Sequence, residues 1–183
     1  MKIGIIVGST RDNRVGRTIG DWVLEQAQGR ETTYELVDLA DFDVPMLSSA
    51  VPPAALNREY ADPAVTAWGR KLDEFDGFVF VTPEYNHGVP GAMKNAVDQV
   101  GPELMKKAVA FVGYGANGGI RAVENWRVIL ANFNMYDIRN ALDINIFTEM
   151  AEGALKPADR RAEEATELFE TLEAASAAMA TLR

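Results

Sequence analysis

The sequence of 183 residues contains no cysteine and a single histidine, His87. The lack of cysteine excludes disulfides, thiolate catalysis and thiolate metal sites, and one histidine argues against a histidine-based zinc site. No apolar run approaches the roughly 20 residues that a membrane-spanning helix needs. The apolar N-terminal stretch leads directly into Gly8 without a segment that resembles a signal-peptide cleavage site. We therefore expect a cytoplasmic protein with no membrane partner.

Basic residues are also scarce, since 18 Lys and Arg stand against 27 Asp and Glu and the formal net charge is −9. Nonspecific nucleic-acid binding relies on basic patches, so we expect no nucleic-acid partner. The length and the hydrophobic content of 48% suit one domain over residues 1–183. Many of the acids lie between 152 and 173, where they indicate either the solvated face of a helix or a partner surface.

Strand-like segments alternate with helical patterns along the whole chain. This alternation predicts an α/β fold, namely a five-stranded parallel sheet of order 2-1-3-4-5 with helices on both faces, the flavodoxin-like three-layer sandwich. In such sheets, ligands bind beyond the carboxyl ends of the strands. The expected strands cover 3–7, 34–38, 77–81, 108–112 and 143–146, and the expected helices cover 16–28, 61–74, 90–100, 120–131 and 157–182.

The longest irregular segment, residues 39–60, contains three prolines, and a loop of this length is uncommon in a small domain. Two interpretations are open. The segment is either a lid or partner contact, or a loop that packs its apolar side chains over the sheet edge. Those side chains are Phe42, Val44, Met46 and Leu47.

The loop after the first strand, residues 8–16, combines glycines, hydroxyl side chains and two arginines directly before a helix. Backbone N–H groups at a helix N-terminus form an anion site, and Arg11 and Arg14 can add charged donors to phosphate oxygens. Neither a dinucleotide-binding fingerprint nor a P-loop is present, so a monophosphate fits better than a triphosphate. The alternative is an ordinary turn and N-cap with solvated arginines.

The loop after the third strand reads Pro83-Glu84-Tyr85-Asn86-His87-Gly88. It should lie beside the first loop, because strands one and three are neighbours in this sheet order. A phosphate held at one loop and a planar ring held at the next describe a bound mononucleotide. His87 acts either as a general acid or substrate ligand, or only as a turn residue that bonds local backbone. Glu84 is better explained as a turn former than as a catalytic acid.

A third loop, residues 113–119, follows strand four and contains four glycines in seven residues. Glycine lets a backbone approach a flat ligand closely. The loop is interpreted either as a third wall of the same site or as a flexible connection.

With these loops in place, the chain resembles the NADPH-dependent FMN reductase family, flavodoxin-like enzymes that include quinone, azo-dye and chromate reductases. The resemblance spans about residues 1 to 150. It rests on Gly8-Ser9-Thr10-Arg11, on Pro83-Glu84-Tyr85-Asn86 followed by the segment 89–96 with its Lys94-Asn95-Ala96, and on Gly118-Gly119 with Arg121-Ala122. The Pro-Glu-Tyr-Asn and Lys-Asn-Ala combination is the specific part.

The resemblance implies that Ser9 and Arg11 hold the phosphate of FMN and that Val15 and Gly16 add backbone contacts. Many members have Ser and Asn where this sequence has Arg14 and Gly16. Arg14 is nevertheless kept among the cofactor-binding candidates because of its charge.

The resemblance further implies that Pro83, Glu84, Tyr85 and Asn86 hold the edge of the isoalloxazine ring, and that the loop around Gly115 closes over it. His87 is kept among the cofactor-binding candidates, but it stands where family members vary, so it is also a candidate for tuning the choice of acceptor.

The activity implied by the resemblance is ping-pong transfer of hydride from NADPH or NADH through FMN to a quinone or similar small acceptor. No catalytic side chain and no metal are required, because the cofactor carries the chemistry. A homodimer or homotetramer is also implied, with Lys94 and Asp98 forming either an interface or an intrahelical pair. The alternative function is a flavodoxin-type electron carrier without NAD(P)H activity, although the first loop lacks the hydroxyl-rich phosphate loop of such carriers.

Overall fold

The computed structural model describes residues 1–183 and shows a five-stranded parallel sheet of order β2-β1-β3-β4-β5. This confirms the predicted flavodoxin-like arrangement. A separate antiparallel hairpin, β6–β7, follows the sheet. The strands are β1 (Lys2–Val7), β2 (Thr33–Asp38), β3 (Gly77–Pro83), β4 (Ala108–Gly115), β5 (Tyr136–Asn145), β6 (Met150–Ala151) and β7 (Ala154–Leu155).

Five α-helices cover the two faces of the sheet: α1 and α5 pack on one face, and α2, α3 and α4 on the other. None of them is long and apolar enough to cross a membrane. The helices are α1 (Gly16–Gln26), α2 (Pro63–Asp73), α3 (Gly91–Asp98), α4 (Ile120–Leu130) and α5 (Arg161–Ala180), with short 3-10 helices at Leu39–Asp41, Pro53–Leu56 and Ala131–Phe133.

The central strand β3 is buried on both faces, as its unbroken apolar run predicts. Phe78 and Phe80 point to the face covered by α2, α3 and α4, where the Phe80 ring lies 5.6 Å from that of Trp126. Val79 and Val81 point to the opposite face. The two cores fix β3 firmly and define where its carboxyl end meets the following loop.

The strand β5 is longer than expected from the sequence, because it begins at Tyr136 and not near residue 143. Its pairing with β4 is interrupted by a bulge opposite Val109 and Phe111. The Arg127 guanidinium of α4 donates hydrogen bonds to the carbonyls of Ile138 (2.8 Å) and Arg139 (3.2 Å) in this region. The first half of β5 was not predicted because its residues are largely polar and its pairing is irregular, so the sequence shows no apolar run there.

The segment 39–60 packs partly on the core. Phe42 stacks edge-on against Trp68 with ring centroids 5.1 Å apart, and Val44 contacts the same core. The Asn95 side chain of α3 holds the segment by accepting from the Leu47 N–H (2.9 Å) and donating to the Pro45 carbonyl (2.8 Å). The packing interpretation therefore describes Phe42 and Val44, whereas Met46 and Leu47 are exposed.

Candidate functional site

The loops after β1, β3 and β4 meet at the carboxyl edge of the sheet and enclose a cavity of about 540 Å³, within the usual range of ligand pockets. Most of the predicted site residues line it, namely Ser9, Arg11, Arg14, Val15, Pro83, Glu84, Tyr85 and Gly115. Gly16, Asn86 and His87 are not among its lining residues. Asn13, Tyr114, Ala116, Ile146 and Met150 complete the wall.

The first loop ends at an uncapped helix. No side chain caps the N-terminus of α1, and its first turn contains no acidic residue, so the N–H groups there remain available to an anion. Ser9 is buried, and its hydroxyl lies 2.7 Å from the Tyr85 hydroxyl, which joins the first loop to the second. The exposed Arg11 guanidinium lies 5.9 Å from the centre of the Tyr85 ring.

Arg14 is held by a buried carboxylate. Its Nη2 donates to Oδ2 of Asp38 at 2.6 Å, and Asp38 is 3% exposed. Its Nε is buried and has no hydrogen-bond partner. The arginine is therefore fixed at the cavity wall by one nitrogen and keeps a second donor unused.

The second loop forms a two-residue turn. Tyr85 and Gly88 exchange backbone hydrogen bonds of 3.1 and 3.0 Å, and Asn86 and His87 both have positive φ values of 50° and 66°. Positive φ at both central residues is the type I′ turn, which asparagine tolerates well. Asn86 and His87 are both exposed at the tip of this turn, and the turn thereby presents Pro83 and Tyr85 to the cavity.

Glu84 makes a tight ion pair with Arg121 at the start of α4. Its carboxylate accepts from the Arg121 backbone N–H at 3.0 Å and from the Arg121 Nε at 2.6 Å. Burial alone would raise the pKa of Glu84, but the Arg121 guanidinium and the α4 backbone N–H groups hold that pKa below its usual value. The carboxylate caps a helix and stays ionised near neutral pH, as expected of a structural residue.

The third loop is fixed by its neighbours. Gly118 and Gly119 have φ values of 70° and 72°, which favour glycine. The turn after β5 is bonded to this loop, since the Asn145 side chain donates to the Ala116 carbonyl (2.9 Å) and the Ile146 N–H donates to the Gly115 carbonyl (3.1 Å). These bonds bring Ile146 to the cavity.

Several lining residues were missed by the sequence reasoning. Ile146 lies in the turn after β5 and Met150 begins the short strand β6, and the sequence carries no motif for either. Tyr114 has a signal that could have been used, because it lies inside the glycine-rich segment 113–119 and is the last large residue of the buried strand β4. Its hydroxyl is buried without a hydrogen-bond partner.

The donors at this cavity suit a phosphate-bearing planar ligand. Its wall combines two arginines, an uncapped helix N-terminus and two buried donors without partners with the apolar side chains of Pro83, Ile146 and Met150. No three histidine, cysteine or acidic side chains are grouped so as to hold a metal ion. The residues present therefore fit a mononucleotide cofactor of the kind that the first and second loops predict.

Comparison with known families identifies the chain. The sequence profile of the family described as NADPH-dependent FMN reductase matches residues 1–149. The chain belongs to this FMN reductase family. An NAD(P)H-dependent FMN reductase of Schizosaccharomyces pombe is 42% identical over 120 residues, which cover 64% of this chain and 60% of that protein. A quinone reductase of Pseudomonas putida is 30% identical over 143 residues, covering 73% of this chain and 71% of that protein.

The match does not extend over the full length of all relatives. It spans 60% of the S. pombe FMN reductase and 63% of a related enzyme from Nectria. Among solved structures, the flavoenzyme NAD(P)H:(acceptor) oxidoreductase FerB of Paracoccus denitrificans superposes with a TM-score of 0.69 and 20% identity, covering 98% of this chain and 97% of that one. At this identity the likeness shows the shared fold of the FMN reductase family.

Proposed function

We propose that this protein is an FMN-dependent NAD(P)H oxidoreductase that passes hydride from NADPH or NADH to a quinone or similar small acceptor by a ping-pong mechanism. The observation that carries the proposal is one cavity lined both by the phosphate-type loop and by Pro83, Glu84 and Tyr85, in a chain that belongs to the FMN reductase family. The names of its FMN reductase and quinone reductase relatives support the donor and the class of acceptor.

The phosphate would lie at the N-terminus of α1, within reach of Ser9, Arg11 and Arg14. Asp38 supports this arrangement, because its carboxylate orients the Arg14 guanidinium. The Val15 and Gly16 backbone would contribute N–H groups. FMN, when bound, supplies hydride acceptance and release.

The ring would lie between the second and third loops, bounded by Pro83, Glu84 and Tyr85 on one side and by Gly115 on the other, with Asn86 at the exposed tip of the second loop. The Glu84–Arg121 pair ties the second loop to the start of α4, so both walls are held rigidly. The exposed His87 lies outside the cavity wall, where it would act on the choice of acceptor. No side chain has to act as nucleophile.

The test is spectroscopic. Purified protein mixed with FMN and freed of excess ligand should show flavin bands near about 375 and 450 nm, and anaerobic NADPH or NADH should bleach them on the timescale of turnover. Protein that stays colourless contradicts the proposal. Coloured protein that resists bleaching indicates the flavodoxin-type electron carrier.

A matched pair of variants sharpens this test. Arg11→Ala should weaken FMN binding by about 1.5 to 3 kcal/mol, because a hydrogen bond to a charged group is lost. Arg70→Ala removes another exposed arginine, from α2 and away from the cavity, and should leave FMN affinity unchanged. Equal affinities for both variants would reject the role of Arg11.

We further propose that the whole chain, residues 1–183, acts as one FMN-binding domain in the cytoplasm, without nucleic-acid or membrane partners.

The assembly of the protein would be a homodimer or homotetramer, as its resemblance to the FMN reductase family implies. Lys94 and Asp98 form an intrahelical pair, with Nζ to oxygen distances of 2.7 and 2.5 Å, and so are used within α3. Light scattering of the purified protein measures the assembly, and a monomeric mass would contradict it.

A further inference from the structure

The hydroxyl of Tyr114 is buried and has no hydrogen-bond partner of good geometry among the residues around it. The side chain is 5% exposed and packs among the apolar residues of the α1 and α5 face of the sheet. Its hydroxyl nevertheless has no hydrogen-bond partner and lies at the wall of the cavity described above. Buried polar groups are almost always paired, so an unpaired one at a cavity wall indicates a group that the ligand satisfies.

The hydroxyl lies at the phosphate end of the cavity because residue 16 is glycine. A Cβ built on Gly16 would overlap the Tyr114 hydroxyl. Gly16 is the first residue of α1, so the phenol reaches the uncapped N-terminus of that helix. Any side chain at residue 16 would therefore occupy the space that the phenol fills in this protein.

The charges around the hydroxyl favour an anionic acceptor. Burial raises the pKa of the Tyr114 hydroxyl, and the neighbouring Ser9, Arg14 and Arg11 act in the opposite direction. The group therefore keeps its proton near neutral pH and is available as a donor. The Ser9 hydroxyl is bonded to the Tyr85 hydroxyl and lies close enough to Tyr114 to lower its pKa, but it makes no hydrogen bond of good geometry to the Tyr114 hydroxyl.

We propose that the Tyr114 hydroxyl donates a hydrogen bond to the phosphate of FMN, and that Gly16 makes this contact possible. The inference rests on the proposed function. Tyr114 is thus a further binding residue for the phosphate group. Its hydroxyl would bind the phosphate group of FMN and make no contact with the isoalloxazine ring.

The test compares FMN with riboflavin, which lacks the phosphate, by quenching of flavin fluorescence. In Tyr114→Phe the FMN affinity should fall about tenfold to a hundredfold, as for loss of a hydrogen bond to a charged group. Riboflavin affinity should not change. The melting temperature of the ligand-free variant should be equal to or above that of the wild type, because an unpaired buried hydroxyl is removed.

The stabilisation of the ligand-free protein by inorganic phosphate gives an independent readout. The phosphate-induced rise in melting temperature should be smaller in Tyr114→Phe than in the wild type. Tyr136→Phe, at an exposed tyrosine of the edge strand, is the matched control and should behave as the wild type in every assay. An equal rise in Tyr114→Phe would count against the inference.

A second variant, Gly16→Ala, leaves Tyr114 in place and gives a test that does not depend on Tyr114→Phe: its FMN affinity should fall while its riboflavin affinity should not, and an unchanged FMN affinity would count against the inference. Gly16→Ala should displace the phenol and weaken FMN binding, and this loss should be much smaller when residue 114 is already Phe, because the two changes remove one interaction. Additive losses would overturn the inference.

The remaining outcomes separate this inference from the proposed function. Equal losses of FMN and riboflavin affinity in Tyr114→Phe would assign Tyr114 to ring packing and overturn it. If the wild type binds FMN and Tyr114→Phe binds it equally well, the inference alone fails. If the wild type binds neither flavin, the proposed function fails as well.

Discussion

Lys107 lies at the start of β4, at the opposite edge of the sheet from the cavity. It is 5% exposed, and its Nζ donates one hydrogen bond, to the Leu72 carbonyl at 2.9 Å. Burial lowers the pKa of the Lys107 ammonium from 10.5 to about 8. Between these two values the unfolded chain binds the proton more tightly than the folded protein does, so the free energy of unfolding rises with pH through this window. Below about pH 8 the Lys107 ammonium is charged in both the folded and the unfolded state, so the full free-energy cost of burying the charge is present.

Replacing Lys107 with Met keeps most of the packing and removes the charge. We expect the free energy of unfolding at pH 7 to rise by about 1 to 3 kcal/mol, since the Leu72 carbonyl retains bonds from the Glu74 and Phe75 N–H groups. The rise in stability between pH 8 and 10.5 should disappear. Denaturant unfolding across this range measures both effects. Lys156→Met, at an exposed lysine, should retain the wild-type pH dependence, and a Lys107→Met variant that also retained it would disprove the assignment.

The sequence allowed the prediction that the first and second loops would meet, because loops after neighbouring parallel strands share one edge. It did not allow prediction of the partners within the site. The Arg14–Asp38 and Glu84–Arg121 contacts join residues 24 and 37 positions apart, and neither pair belongs to one helix or one turn. The free Tyr114 hydroxyl depends on the space at Gly16, which only the packed structure reveals.

Among the secondary-structure elements, the hairpin β6–β7 depends most on a polar network. Arg161 at the start of α5 donates to both Glu149 oxygens at 2.9 and 2.8 Å and to Asp143 Oδ1 at 2.8 Å. The Glu149 carboxylate also accepts from the Ala158 N–H at 3.1 Å. These bonds hold the segment that contributes Ile146 and Met150 to the cavity wall.

Glu149→Gln should therefore destabilise the fold by about 1.5 to 3 kcal/mol at pH 7, as for loss of charged hydrogen bonds. The Arg161 guanidinium lowers the pKa of Glu149 from 4.5 to about 2, so this stabilisation is complete above pH 4.5 and is lost as the pH falls toward 2. The difference between variant and wild type should be clear at pH 7 and smaller at pH 3 in denaturant unfolding. Glu167→Gln, at an exposed residue of α5, is the control. A difference that is independent of pH would contradict the ion-pair explanation.

The sequence predicted elements with strong periodicity to within a few residues, as for α1 and β3. It did not predict the hairpin, because strands of two residues have no periodicity to detect. The start of β5 was missed for a related reason. Asp137, Arg139 and Asn140 lie on an edge strand that is half solvated, and their polarity is typical of a loop.

At the scale of the whole molecule, the family match ends at residue 149, but the fold needs the chain beyond it. Helix α5 buries Leu168, Phe169 and Leu172 against the sheet, each no more than 1% exposed. Burial of a large apolar side chain contributes about 1.5 to 3 kcal/mol. Three such residues together approach the roughly 5 to 15 kcal/mol by which a whole protein is stable.

A chain that ends at residue 156 should therefore lose cooperative thermal unfolding and expose apolar surface. Circular dichroism and binding of a hydrophobic dye measure these two changes. Removal of only Leu182 and Arg183, which follow α5, is the matched control and should leave the transition cooperative. A sharp unfolding transition in the shorter chain would show that α5 is dispensable.

The hydrogen bonds from Arg127 to the edge strand β5 have a consequence for behaviour at high concentration. An open strand edge invites pairing with another molecule, which leads to aggregation. Here the guanidinium already occupies the carbonyls of Ile138 and Arg139, and the bulge beside them breaks the regular spacing that an incoming strand requires. The bulge and these two bonds therefore make this part of β5 a less regular template for an incoming strand.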